Sequence, residues 1–411
     1  MAESQHRQLA ERRKALGYTQ ESFAELLRLD RTTVVRWESG KTLPRPGHRR
    51  HLARALGLTI DELHNVLANA SQERSAEPEE FIVGPSLVED PASILERMNY
   101  EFGELTDELL DDLEIRLHES AARYEAEGPT VLAPEVVRQR RWAHQLLMST
   151  PPSKRGMRLL HIAARSSAQL SYMAVNLGRF ESAHAYALEA FQLADELGDD
   201  GLKAWVRGTE SFGAYYQGDY VRALELARYG LRYAHNGPQT VRLVVNGEAR
   251  ALAKIGERQA TARAIGRSFE LLDRFEPEVG MSPCMSFGVY SEARVASNAA
   301  TAYLSVGNTE MVLEHSEQAR LVVDRSPSVW SQALVRLDTA TALLQADEPD
   351  LEHATSLARE ATQVREYRPV ESVRQRAEAF IAELAPWADE PRVVEFLEEQ
   401  RLTQEPPDVD I

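Results

Sequence analysis

Five small residues of this 411-residue chain, Ser171, Ser211, Ala249, Ala300 and Ala342, each stand seven residues before a turn-forming position: Gly178, Gly218, Gly256, Gly307 and Pro349. A glycine after an apolar-periodic run is a helix stop. Each copy therefore reads as helix, tight turn, helix, with the small residue inside the first helix. The clearest copies are Gly178-Arg-Phe-Glu-Ser-Ala183 and Gly218-Asp-Tyr-Val-Arg-Ala223. The second helices carry Ala183, Ala187 and Ala190, and later Ala354, Ala358 and Ala361, at matching offsets. Small side chains at fixed places let the two helices of a hairpin approach closely. The intervals between the small positions are 40, 38, 51 and 42 residues, and the longest contains an extra stretch at 276–288.

Residues 155–385 resemble the tetratricopeptide repeat, whose usual length is about 34 residues. The resemblance implies an α-solenoid whose groove is lined by the first helix of each repeat. On that implication the lining positions include Arg165, Tyr172, Asn176, Trp205, Phe212, Tyr216, Asn246, Arg250, Lys254, Arg294 and Arg336. Guanidinium groups among aromatic faces suit an extended peptide, its terminal carboxylate, or another small anion. The alternative is that Trp205, Phe212 and Tyr216 pack between repeats while the arginines pair with neighbouring acids.

A different pattern occupies residues 4–69. Helices are expected at 4–16, 20–27, from Asp30 or Arg31 to Gly40, at 49–56, and from Thr59, where Glu62 three residues on completes a capping-box pattern. Thr19 is placed to cap the second helix, with Phe23, Leu26 and Leu27 facing inward. In the third, Val34 and Trp37 share one stripe, and Arg31, Thr32 and Arg36 fall outside it. Arginine can bond guanine bidentately and a threonine methyl can meet a thymine methyl. Lys41 and Arg45 follow in a segment suited to phosphates, and Gln20 opens the second helix, where end amides also attract anions.

This segment resembles the XRE-type, phage-repressor-like helix-turn-helix. The match lies in Thr19-Gln20, Phe23-Ala24 and Trp37-Glu38-Ser39-Gly40-Lys41. The resemblance implies base reading by Arg31, Thr32 and Arg36 and a phosphate contact from Gln20. It departs at Leu29-Asp30, where the family often has valine or glycine followed by serine; Asp30 can still cap the helix. The whole chain is similar to a group of actinobacterial regulators with the same head and body, through phrases such as Ala204-Trp-Val-Arg-Gly-Thr and Ser297-Asn-Ala-Ala-Thr-Ala-Tyr.

Charge separates the two patterns. The chain carries a net charge of −17. Residues 1–70 hold 12 basic and 8 acidic side chains, net +4, and the rest 35 and 56, net −21. Local charge decides where phosphate binds, so a basic head on an acidic body is consistent with DNA binding.

The expected fold is all-α. A five-helix lambda-repressor-like DNA-binding domain spans 1–70, with an acidic, proline-punctuated linker at 71–91. A helical connecting region follows at 92–153, tetratricopeptide-like repeats at 154–385 and an acidic C-terminal tail at 386–411. Within 92–153, helices are expected at 92–101, 106–127 and 134–148.

No run is apolar enough to span a membrane, the first residues lack a signal peptide's apolar core, and the single Cys284 excludes an intrachain disulfide. A cytoplasmic protein is expected. No phosphate-binding or dinucleotide fingerprint occurs. His48-x-x-His51 has no clear third ligand, and Asp111-Asp112 lies in a generally acidic helix. Neither an enzyme activity nor a cofactor or metal is expected.

The reading is a sequence-specific transcriptional regulator that binds a double-stranded DNA operator as a homodimer. Its repeat body dimerises, senses a peptide or small-molecule effector, or does both. The alternative is a tetratricopeptide-type adaptor that holds a protein partner.

Overall fold

The computed structural model describes residues 7–27, 29–38, 44, 46–56, 58, 63, 105–277, 279–362 and 369–404. Every regular element among them is a helix. Two compact units divide the chain, Met1–Gly103 and Glu104–Ile411. The expected linker at 71–91 and the helix at 92–101 lie outside the described residues.

The first unit contains α1 (Arg7–Ala15), α2 (Gln20–Leu26), α3 (Arg31–Glu38) and α4 (Pro46–Leu56). Of the helix expected from Thr59, only Leu63 is described; it is helical and buried. Thr19 opens α2 with a capping box: its Oγ1 accepts from Ser22 N at 3.1 Å, and Thr19 N donates to Ser22 Oγ at 3.0 Å. Asp30 caps α3 by accepting from Thr32 N at 2.8 Å. Phe23, Ala24, Val34, Trp37, Leu52 and Leu56 form the core. Leu26 does not join it and is 50% exposed. The inward stripe of α2 centres on Phe23, Ala24 and Leu27, which places Leu26 to its side.

The second unit begins with α5 (Asp107–Leu147), broken at Gly128, whose φ of 75° only glycine adopts readily. The halves fold back on each other: Gln139 Nε2 donates to Leu113 O at 2.7 Å, and Arg123 pairs with Glu135 at 3.2 Å. The second half thus starts well before the expected residue 134. Pro129 sits in its first turn, where a missing N–H costs nothing.

Helix pairs follow in sequence: α6 (Lys154–Asn176) with α7 (Phe180–Leu197), and α8 (Asp200–Tyr216) with α9 (Tyr220–Ala234). Next is α10, residues 239–254, which runs from Gln239–Arg242 through a π-helical stretch, Leu243–Ala249, to Arg250–Lys254; it pairs with α11 (Arg258–Leu272). Then come α12 (Glu292–Ser305) with α13 (Thr309–Val323), and α14 (Val329–Gln345) with α15 (Leu351–Thr362). Last are α16 (Glu371–Glu383) and α17 (Pro391–Gln404).

The repeat pattern explains this pairing. Gly178, Gly218, Gly256 and Gly307 all have positive φ at the turns. The five small residues are buried, and the two serines bond across their hairpins: Ser171 Oγ donates to Ala183 O at 2.9 Å and Ser211 Oγ to Ala223 O at 2.7 Å. Helical hairpins of this kind stack along the whole unit. The stack continues beyond the expected end at 385. In place of an acidic tail, α17 buries Val393 and Phe396, the latter edge-on to Phe380 at 5.7 Å. The apolar residues of 391–404, not its net charge, decide its place.

The last pairs return to the first. Gln375 Nε2 on α16 donates to Tyr216 O on α8 at 2.7 Å. Glu125 on α5 meets Arg294 on α12 at 2.9 Å. No helix among the described residues is long and apolar enough to cross a membrane.

Candidate functional site

On the head, α3 turns Val34 and Trp37 inward and leaves Arg31, Thr32 and Arg36 exposed. Arg31 pairs with Glu21 at 2.8 Å, with side chains 61% and 56% exposed. An ion pair this wet is worth about 0–1 kcal/mol, so a DNA contact can replace it. Thr32 Oγ1 donates to Asp30 Oδ1 at 2.6 Å. These hydrogen bonds hold the Asp30 carboxyl below its ordinary range, so it stays charged. With its hydroxyl proton engaged, Thr32 keeps its methyl for a base contact.

Gln20 Nε2 donates to Glu38 Oε2 at 2.7 Å. Glu38 in turn pairs with buried Arg13 at 2.5 Å, and Arg13 Nη1 donates to Tyr18 O at 2.6 Å. This chain ties α1, the start of α2 and the end of α3 together. It leaves Gln20 Oε1 and one amide hydrogen for other partners. Arg13 was not marked in the sequence, because the partners that give it its role, Tyr18 and Glu38, lie on other elements. Lys41 and Arg45 lie outside the described residues. His48 packs on Trp37 at 5.9 Å. Among the described residues no group of three or more His, Cys, Asp or Glu is arranged to hold a metal.

In the body, the expected groove positions separate into two groups. The extra segment after α11 runs back through the groove and occupies part of it. Trp205, fully buried, donates Nε1 to Ser286 O at 3.0 Å and stacks on Phe287 at 4.9 Å. Arg165 lies over the same Phe287 ring at 4.8 Å, and burial holds its pKa below the ordinary value. Gln239 Nε2 donates to Phe287 O at 2.9 Å. Arg294 donates to Ser282 O from Nε at 3.0 Å and Nη2 at 2.6 Å, and to Ser331 Oγ at 2.9 Å. Its pairing with Glu125 completes its set. Trp205 and Arg165 thus hold the chain's own segment, a correction to their reading as open groove wall, whereas Arg294 holds that segment and also lines the cavity described next. Arg336 pairs with Asp324 at 3.4 Å and Glu360 at 3.1 Å, and Lys254 is exposed near Tyr220. Both stand apart from the cavity described next.

The second group lines a cavity of about 60 Å³. Asn176, Tyr216, Asn246 and Arg250 face it with Tyr172 and Phe212. The structure adds Tyr124, Glu125, Asn298, Thr301 and Arg376, which no local pattern marked. Arg376 pairs with Asp338 at 2.6 Å. Burial opposes the charge of Glu125, but Arg294 and bonds from Ser328 and Cys284 outweigh it and hold the carboxyl below 4.5, its ordinary value. Cys284 donates its backbone N–H to Glu125 at 2.6 Å, while burial and that carboxylate push its thiol pKa far up.

Residues 9–63 match the helix-turn-helix family model. The head is a helix-turn-helix DNA-binding domain, and the body a stack of helical hairpins. The protein is a DNA-binding transcriptional regulator. No curated protein matches the chain. Among solved structures it is similar to Bacillus thuringiensis PlcR in complex with the peptide PapR7 and DNA, at 15% identity and a TM-score of 0.32. That match covers 66% of this chain and 95% of the other.

Proposed function

We propose that this regulator is sequence-specific and reads a short half-site in the major groove through Arg31, Thr32 and Arg36. Gln20, Lys41 and Arg45 contact phosphates. The observation that carries the reading is the polar face of α3, exposed opposite Val34 and Trp37 within a doubly capped helix-turn-helix. One head offers a small interface, so two chains bind a pseudo-palindrome as a homodimer. The body, whose repeats follow the tetratricopeptide pattern, acts as the sensor, and occupancy of its cavity shifts DNA affinity. A small effector fits better than an extended peptide, because the protein's own segment through Ser286 and Phe287 occupies part of the groove. Fluorescence anisotropy on DNA upstream of its own coding region tests the head. Binding should vanish when residues 1–70 are removed, and specificity should change in Arg31→Ala and Arg36→Ala. Unchanged specificity in both variants overturns the assignment.

A further inference from the structure

We infer that the cavity at Arg250 binds the carboxylate of a small aliphatic acid. Its place in regulation rests on the sensor reading above; the binding itself rests on the cavity alone.

Arg250 is 3% exposed. Its Nη2 donates to Tyr216 Oη at 2.9 Å and its Nη1 to Asn246 Oδ1 at 3.3 Å. Its guanidinium lies 4.2 Å from the centroid of the Tyr215 ring. None of these partners is a carboxylate, and its Nε meets no acceptor. A buried guanidinium without a counter-charge is costly.

The surroundings do not cancel it. Arg294 is matched by Glu125 and Arg376 by Asp338, which leaves Arg250 in excess among the described residues. Burial works to raise the Tyr215 phenol, yet Arg250, Lys254 and Arg376 outweigh it and hold its pKa below the ordinary value, so the local field is positive. One excess unit of positive charge calls for a monoanion. A planar carboxylate matches the edge of a guanidinium.

A second orphan group faces the same space. Tyr124 Oη is buried, lines the cavity and has no hydrogen-bond partner. An aromatic wall joins the two ends: Tyr124 to Tyr172 at 5.8 Å, Tyr172 stacked on Phe212 at 5.1 Å, and Phe212 to Tyr216 at 4.9 Å. A ligand with its carboxylate at Arg250 lays a short apolar body along the nearer of these rings, Tyr216 and Phe212. Size narrows the class. A cavity of about 150 Å³ admits benzene, whereas this one is about 60 Å³, so the body is a few aliphatic carbons. The π-helical stretch Leu243–Ala249 lies here, carrying Asn246 and leading directly into Arg250. Such bulges recur at functional sites.

The test is thermal unfolding of the full chain with sodium acetate, lactate or 3-hydroxybutyrate, against sodium chloride and sodium phosphate at equal ionic strength. The carboxylates should raise the melting temperature above chloride. Arg250→Met should abolish the rise. Without ligand, Arg250→Met should melt at or above wild type, while Arg376→Met, which strands Asp338, should melt lower. Equal shifts for chloride and carboxylates, or a response to phosphate alone, overturn the site. So does an Arg250→Met that melts as early as Arg376→Met, because the charge is then structural. Operator affinity with and without lactate is measured separately. Lactate binding with unchanged DNA affinity supports the site and removes the sensor reading.

Discussion

The head and the body hold their working polar groups in opposite ways. On α3, Arg31 is 61% exposed and its partner Glu21 is equally wet. In the body, Arg250 is 3% exposed with no carboxylate among its hydrogen-bond partners. A solvated cation waits for a ligand at no cost, which suits a surface that meets a large partner carrying its own phosphates. A buried cation loses its hydration whether or not a ligand is present. Its survival in a packed interior points to a ligand that enters the protein. A DNA face is therefore recognised by what lies outside the apolar stripe, and a buried site by a local imbalance of charge.

The largest effect should separate the two buried arginines of the body. Arg376→Met leaves Asp338, 1% exposed, without its counter-charge. The expected loss is about 3–5 kcal/mol in urea unfolding. Arg250→Met should stay within about 1 kcal/mol of wild type or exceed it. Equal losses would erase the contrast between paired and unpaired charge. On the head, Arg31→Ala and Arg36→Ala should each remove about 1–3 kcal/mol of discrimination at particular bases. Titration against a panel of operator variants reads this, and a uniform loss across the panel would reassign the residue to phosphate.

Acid probes the paired side of the comparison. Glu125 has its folded-state pKa below the unfolded value of 4.5. Its stabilising contribution is complete well above that value and disappears as pH falls through 4.5 toward the folded-state value. Melting curves of wild type should drop steeply there, and Glu125→Gln should flatten that part of the profile. Removing the cap of α2 by Thr19→Ala should cost about 1 kcal/mol, measured on the melting of the head. Smallest is Lys41→Ala, which should weaken all DNA sequences alike and lower the salt slope by about one. A sequence-dependent change would make Lys41 a base reader.

Much of the architecture was legible because it is local. The turn glycines, the buried small residues and the caps at Thr19 and Asp30 act within one or two helical turns, and periodicity reports them. The inward face of α3 followed from Val34 and Trp37 alone. Where local rules misled, a specific competitor prevailed: Leu26 fell beside its stripe, α5 restarted at Gly128, and apolar Val393 and Phe396 drew an acidic segment into the core. The groove was harder to read. Trp205, Arg165 and Arg294 have the residue types of a binding wall, and only the path of the inserted segment reveals that they hold Ser282, Ser286 and Phe287.

By itself, the sequence determined a basic helix-turn-helix head, an acidic body of paired helices, and which residues of α3 face away from the core. Those properties depend on side-chain period and short-range capping. The tertiary structure alone decided which cations of the groove are matched. It brought Glu125 to Arg294 across 169 positions and Arg376 to Asp338 across 38, and it left Arg250 beside an amide and two phenols. Charge balance in an interior depends on which distant helices meet, and no local pattern encodes that meeting.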